Sequence, residues 1–163
     1  MSPTSIVIRP ERPDHHQVRL LLGQLDAYLD TLYSADENHI LDEQALLAPD
    51  VSFIVAECDG QVVGCGAVRR MPGDGEADPQ PYGEIKRMMV EPAQRGQGVG
   101  MRLIDALESS LRAHGIERAL LETGALQHEA VRLYERCGYR RRPAFGGYPD
   151  NGLSLFYEKA LSR

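Results

Sequence analysis

Gln94-Arg95-Gly96-Gln97-Gly98-Val99-Gly100 joins a β-rich run, Tyr82–Val90, to a stretch of helical spacing that begins near Gly98. The first turn of a helix carries N–H groups without intrahelical partners and the positive end of the helix dipole. Glycines take away the side chains that would keep an anion at a distance from those groups. The turn is therefore suited to hold a pyrophosphate, and Arg95 can add charge-assisted hydrogen bonds. Other glycine-rich anion loops do not fit. A P-loop ends in Gly-Lys-Ser/Thr, and the chain has no Gly-Lys pair. The dinucleotide pattern G-x-G-x-x-G fails because Met101 stands where the third glycine belongs, counting from Gly96. A plain Gly-rich connector has the same composition, so the surrounding elements must decide.

Working outward, residues 98–113 read as a helix with Leu103, Ile104, Leu107 and Leu111 on one face and Gly115 as its stop. Upstream, Val51–Cys58 and 61–68 are β-rich runs separated by Asp59-Gly60, a strong hairpin signal. The Pro-, Gly- and acid-rich stretch 72–81 reads as an exposed loop. Residues 5–9 read as a first strand ended by Pro10. Asp14 is the expected cap of a helix carrying Val18, Leu21, Leu22, Leu25 and Leu29, and a short helical piece follows at 42–47. Downstream come a short strand at 118–122, a helix at 128–137 ended by Gly138, and a strand pair at 139–142 and 153–158. The order is β α α β β β α β α β β: a mixed sheet, antiparallel first, with βαβ connections later.

Composition narrows the function. The 163 residues fit one domain, 1–163, with 42 % apolar and 26 % charged residues. The net charge of −6 argues against a nucleic-acid partner, which calls for a basic face, and Arg140-Arg141-Arg142 is too short a run to supply one. No apolar run approaches the ~20 residues of a membrane span, and the start lacks the pattern of a secretory signal, so no membrane partner and a cytoplasmic location are expected. Cys58, Cys65 and Cys137 are odd in number and widely spaced, which fits buried thiols better than disulfides or a metal knuckle.

Arg95-x-x-Gly98-x-Gly100 resembles the Q/R-x-x-G-x-G/A signature of the GCN5-related N-acetyltransferases (GNAT). Arg87-Met88-Met89-Val90-Glu91-Pro92 looks like the strand and proline that lead into it, and Leu120-Leu121-Glu122-Thr123 like the strand that follows. Ala130-x-x-Leu133-Tyr134-Glu135-Arg136-Cys137-Gly138-Tyr139 is similar to the family's A-x-x-L-Y-E-x-x-G-F/Y ending. The matches run in the family's order over residues 82–140. The resemblance implies an α/β fold: a mixed central sheet of about seven strands, flanked by about four helices, with a splayed parallel strand pair. It also implies acetyl-CoA as co-substrate, and homodimer formation is common in the family.

By resemblance, Met88, Met89 and Val90 lie along the thioester and pantetheine, and Gln94, Arg95, Gly96, Gln97, Gly98, Val99 and Gly100 hold the pyrophosphate. Gln127 stands where the family often has an Asn that contacts the cofactor arm. Tyr134 is the expected general acid, and the same resemblance places it at the cofactor sulfur. Glu84 is the candidate base, directly or through water. It shares a strand face with Lys86, so an ordinary ion pair explains it equally well. His39 and His128 are weaker candidates. No metal is expected, because the second His of an H-E-x-x-H motif is absent at Arg132.

The acceptor is expected at 33–41 and 144–151, the segments that vary most in the family, with Tyr33, Asp36, Glu37, His39, Glu84 and Tyr148 as contacts and Phe145 and Asp150 nearby. Acidic and aromatic groups there suit a cationic amine, although two solvated loops would look the same. The expected activity is direct transfer of acetyl to a primary amine of a small or amino-acid-like molecule. Protein or peptide N-acetylation is the alternative enzyme reading, and a non-catalytic acyl-CoA-binding regulatory module the alternative outside catalysis.

Overall fold

A computed structural model describes residues 5–162. Its strands are β1 (Ile6–Pro10), β2 (Val51–Cys58), β3 (Gln61–Met71), β4 (Tyr82–Val90), β5 (Arg118–Gly124), β6 (Arg140–Arg141) and β7 (Ser154–Ala160). The helices are α1 (His16–Leu32), α2 (Glu43–Leu46), α3 (Val99–Ala113) and α4 (His128–Arg136). The strands form one 7-stranded sheet in the order β1-β2-β3-β4-β5-β7-β6. Every neighbouring pair is antiparallel except β4 and β5, which run parallel. That pair has only the partners Gly83↔Ala119 and Glu84↔Leu120, and beyond them β4 and β5 diverge. This is the mixed sheet with a splayed parallel pair that the sequence implied.

The hairpin between β2 and β3 turns on Asp59 and Gly60, both left-handed at φ 51 and 79, as a type I′ turn requires. Local boundaries differ from the sequence reading in several places. Pro10 belongs to β1, where an edge strand tolerates its missing N–H. Asp14 does not cap α1. Its carboxylate accepts from Arg12 Nε and Nη2, at 2.9 Å each, and His15 Nδ1 accepts from Gln17 N instead. β3 continues to Met71 and β5 to Gly124, whereas β6 is only Arg140–Arg141.

Each face of the sheet is covered by a helix. On one face Leu103, Ile104, Leu107 and Leu111 of α3, all 0% exposed, pack with Ile54, Val68, Ile85 and Leu121. On the other, Val18, Leu21, Leu22 and Leu25 of α1 pack with Phe53, Val55, Val62 and Cys65. Burying each such side chain contributes about 1.5–3 kcal/mol. Cys58 and Cys65 are buried and Cys137 half-buried, and desolvation pushes the Cys65 thiol up to about 12. Glu108 of α3 is 2% exposed and is fully engaged: Tyr139 Oη donates to it at 2.8 Å and Lys159 Nζ at 2.9 Å. No helix among the described residues is long and apolar enough to cross a membrane.

A β-bulge decides which β4 side chains face which layer. Opposite β3 the register steps from Cys65↔Met89 to Ala67↔Lys86, so Arg87 and Met88 together oppose Gly66. Before the bulge Ile85 faces α3; after it Met88 and Val90 do, and Met89 turns toward α1. The extra residue inverts the alternation. Glu84 and Lys86, either side of Ile85, lie on the α1 side of the sheet by simple alternation, while the bulge turns Met88 and Val90 toward α3.

Candidate active site

A cavity of about 580 Å³ lies at the splayed end of β4, between the start of α3, the inner face of α4 and Leu25 and Tyr28 of α1. Met88, Met89, Val90, Gln94, Arg95, Gly96, Gly98, Val99, Gly100, Gln127 and Tyr134 line it, so most of the expected cofactor residues come together on one wall system. Gln97 does not line it.

The glycines of the turn serve different ends. Gly96 and Gly98 are left-handed, at φ 81 and 80, and a Cβ on either would meet nothing within 4 Å. Their requirement is conformational: they turn the chain so that the free N–H groups of the first turn of α3 face the cavity. Gly100 is inside α3, and a Cβ there would stand 2.8 Å from Leu133 Cδ2 of α4. It was read as part of an anion cradle; it also sets how closely α4 approaches α3. Arg95 is less free than the sequence suggested: its Nε donates to the Val90 carbonyl at 3.0 Å and its Nη1 pairs with Glu129 at 3.2 Å. Arg132 and Arg136 of α4 also line the cavity, and no motif marked them.

Arg87, at the bulge, has φ 58, uncommon for a residue with a side chain. It is held from both ends: Nη1 pairs with Asp26 of α1 at 2.5 Å, and its carbonyl accepts from Cys65 Sγ at 3.4 Å. Its buried Nε has no hydrogen-bond partner among the described residues.

Tyr134 is 7% exposed, packs edge-on against Tyr139 at 6.2 Å and borders the cavity. Its hydroxyl forms no hydrogen bond among the described residues. Burial, followed by the negative charge of Glu122, raises its pKa well above that of a free phenol, so it stays protonated across the physiological range.

The other side of the slot is built from side chains. Glu84, 6% exposed, accepts from Tyr148 Oη at 2.5 Å and from Lys86 Nζ at 3.2 Å. Lys86 Nζ also donates to Tyr148 Oη at 2.5 Å, closing a triangle. Burial and the adjacent Glu84 raise the Tyr148 phenol pKa. His39 packs edge-on against Tyr148 at 5.2 Å, so the segment after α1 and the loop before β7 meet over the sheet. The loop 72–81 braces this wall: Asp74 Oδ1 accepts from Gly146 N at 3.0 Å, and Asp78 pairs with Arg118 at 2.9 Å.

Beneath lies a small cavity of about 50 Å³, bordered by Tyr33, Glu37, His39, Glu122, Gln127 and Ser154 among others. Gln127 borders both cavities and marks where they approach each other. Tyr33 Oη accepts from Leu126 N at 3.0 Å, its ring occupying the space that a Cβ on Gly124 would need. Glu37 Oε1 accepts from Ser34 N at 2.8 Å. Asp36 is exposed and borders neither cavity, so the structure does not bring it to the site. Asp150 and His128 are likewise exposed, and Phe145 is buried between Tyr82 and Phe156. Glu122 was read only as part of a strand; its place at the small cavity comes from alternation along β5, which puts Leu120, Glu122 and Gly124 on one face.

Residues 19–139 match the acetyltransferase (GNAT) family. The chain is 43% identical to the IAA acetyltransferase of Azospirillum brasilense over 157 residues, 96% of this chain and 99% of that one. A crystal structure from Klebsiella pneumoniae, assigned as an acyl-CoA N-acyltransferase, superposes with a TM-score of 0.80 at 34% identity, covering 96% of this chain and 98% of the other. The PaiA N-acetyltransferase of Thermoplasma acidophilum, solved with coenzyme A, shares the fold with a TM-score of 0.73 at 17% identity, covering 96% and 99% of the two chains. With the signature turn at the head of α3 and the splayed β4–β5 pair beside it, the chain belongs to the GNAT family of acetyltransferases.

Proposed function

We propose that the protein transfers the acetyl group of acetyl-CoA directly to a primary amine of a small molecule. The observation that carries this reading is the closure of the acceptor side. His39 and Tyr148 meet across the sheet and leave a cavity of about 50 Å³, not an open groove that would admit a peptide backbone. The larger cavity, about 580 Å³, has the size of a cofactor site.

Coenzyme A fits the residues at the turn. Its pyrophosphate would meet the free N–H groups at the head of α3 beside Gly96 and Gly98, with Arg132 and Arg136 as further cations. The pantetheine arm would run along Met88–Val90 in the β4–β5 slot, with Gln127 at its side. When bound, acetyl-CoA supplies an activated acyl thioester. Tyr134 holds its proton until the thiolate departs, and the desolvation that raises the phenol pKa also raises that of a thiolate beside it, which brings the two close enough for the proton to pass from oxygen to sulfur. Glu84, already engaged with Lys86 and Tyr148, fixes the acceptor wall.

Calorimetric titration with acetyl-CoA, with free CoA and NADH as controls, tests the cofactor half. Binding of both CoA species and not NADH is expected. Thiol release with small primary amines but not with peptides tests the acceptor half; faster release with peptides would overturn the small-molecule reading.

A further inference from the structure

We propose that Glu122, not Glu84, is the carboxylate that receives the acceptor's ammonium group and takes its proton. This rests on the acetyl-transfer reading above and names the group that serves it.

The two carboxylates stand on the same face of neighbouring strands, and their surroundings differ. Glu84 already has a cation: Lys86 Nζ is 3.2 Å from Oε2, and Tyr148 Oη donates to the same oxygen. A second ammonium approaching it would meet Lys86 first. Glu122 has no cation within ion-pair distance among the described residues. Its one hydrogen bond comes from the neutral Ser154 Oγ, at 2.6 Å to Oε2, and Oε1 takes none. A half-buried carboxylate with an unfilled oxygen beside a cavity is a site for a charged donor.

The groups that face Glu122 come from every element around it. Ser154 is on β7, Lys86 and Glu84 are on β4, and His39 and Glu37 belong to the segment after α1. Tyr33, Tyr134 and Tyr148 complete the surroundings, each with a phenol that feels the Glu122 charge. Burial raises the Glu122 pKa; Ser154, His39 and Lys86 oppose the shift and Glu84 adds to it. The net direction makes Glu122 a better proton acceptor than an exposed glutamate.

The step balances as follows. The R–NH3+ group gives one proton to Glu122, and the freed lone pair forms the C–N bond at the thioester carbonyl. Collapse breaks the C–S bond, and the sulfur takes the Tyr134 proton. The second nitrogen proton returns to the Tyr134 oxygen, and Glu122 releases its proton to water. The products are the N-acetyl amine, CoA thiol and one proton.

The test uses the whole chain with ethanolamine, 1,4-diaminobutane, glycinamide and hydroxylamine as acceptors. The first three are ammonium ions at neutral pH; hydroxylamine is already unprotonated. Glu122→Gln is expected to bind acetyl-CoA as the wild type does, yet to lose about 100-fold or more in kcat/KM with the best ammonium acceptor. Its pH–rate profile with that acceptor should lose the acid limb set by Glu122 and rise instead through the amine's own pKa, and hydroxylamine turnover should fall far less. Glu122→Asp should keep the limb with partial activity, which guards against a folding defect. Glu84→Gln should lose less than about tenfold and keep the limb.

An acid limb kept at its wild-type position in Glu122→Gln, its loss in Glu84→Gln, or an equal fall for hydroxylamine and the ammonium acceptors would each overturn the assignment. So would a wild-type protein that binds acetyl-CoA and acetylates none of the four acceptors. A wild-type protein that does not bind acetyl-CoA would instead undo the reading on which the assignment rests.

Discussion

On the α3 side of the β4–β5 slot, the cavity is shaped by one continuous run, Gln94 to Gly100, acting through its backbone. On the acceptor side, Glu84, Glu122, His39, Tyr148 and Ser154 come from separate parts of the chain and act through side chains. The first region is made of groups that every residue carries, so its signal is the glycine spacing that frees them. The second is made of side chains whose meaning depends on their neighbours. Changes at the turn should act on cofactor binding and backbone strain; changes at the acceptor wall should act on turnover and leave cofactor affinity intact.

The sharpest way to break this division is at Tyr134, which borders the cofactor cavity and feels the charge of the acceptor side. Tyr134→Phe should lower kcat by about 100-fold or more while acetyl-CoA affinity by calorimetry is nearly unchanged. Equal losses in both would make Tyr134 a packing residue. In the wild type, the alkaline limb due to this phenol should fall above the ordinary tyrosine range, because burial raises its pKa.

Next in size is the turn itself. Gly98→Val puts a β-branched residue at φ 80, costing about 1–2 kcal/mol for the left-handed backbone, and acetyl-CoA affinity should drop by about tenfold or more. Gly100→Leu should act differently, overpacking against Leu133 and destabilising the fold by about 1–3 kcal/mol in denaturant titration. On the acceptor wall, Tyr148→Phe removes the hydroxyl between Glu84 and Lys86. The acceptor KM should rise by roughly two- to tenfold without a change in acetyl-CoA affinity.

The smallest effect concerns stability at Glu122. Its folded-state pKa is raised, so folding favours the protonated form. That contribution is fully present below the unfolded value and is lost as pH rises through the folded one. Glu122→Gln should therefore be at least as stable as the wild type at pH 8, with any advantage vanishing below about pH 4. A variant less stable at pH 8 would make Glu122 a structural carboxylate and weaken the contrast with the turn.

The element order, the Asp59-Gly60 hairpin and the apolar stripe of α3 could be read directly, because periodicity and turn chemistry are local. So could the glycine turn at the head of α3. Asp14 misled because its nearest cation, Arg12, competes for the carboxylate that was to cap α1. The exposure of Asp36, away from both cavities, could not be read, because an acidic residue in a loop carries no sign of which way it points. Glu122 was overlooked because a glutamate in a short strand reads as an exposed position, and only the packing of β7 and the segment after α1 half-buries it.

By itself, the sequence determined the family, the order of strands and helices and the location of the glycine turn at the head of α3, since these rest on backbone groups and short-range spacing. The tertiary structure alone decided which of Glu84 and Glu122 stands without a cation among the described residues. It also decided that the bulge at Arg87 inverts the faces of β4, and that His39 closes against Tyr148. Those outcomes depend on contacts between residues far apart in the chain, where burial and neighbouring charge set what a side chain can do.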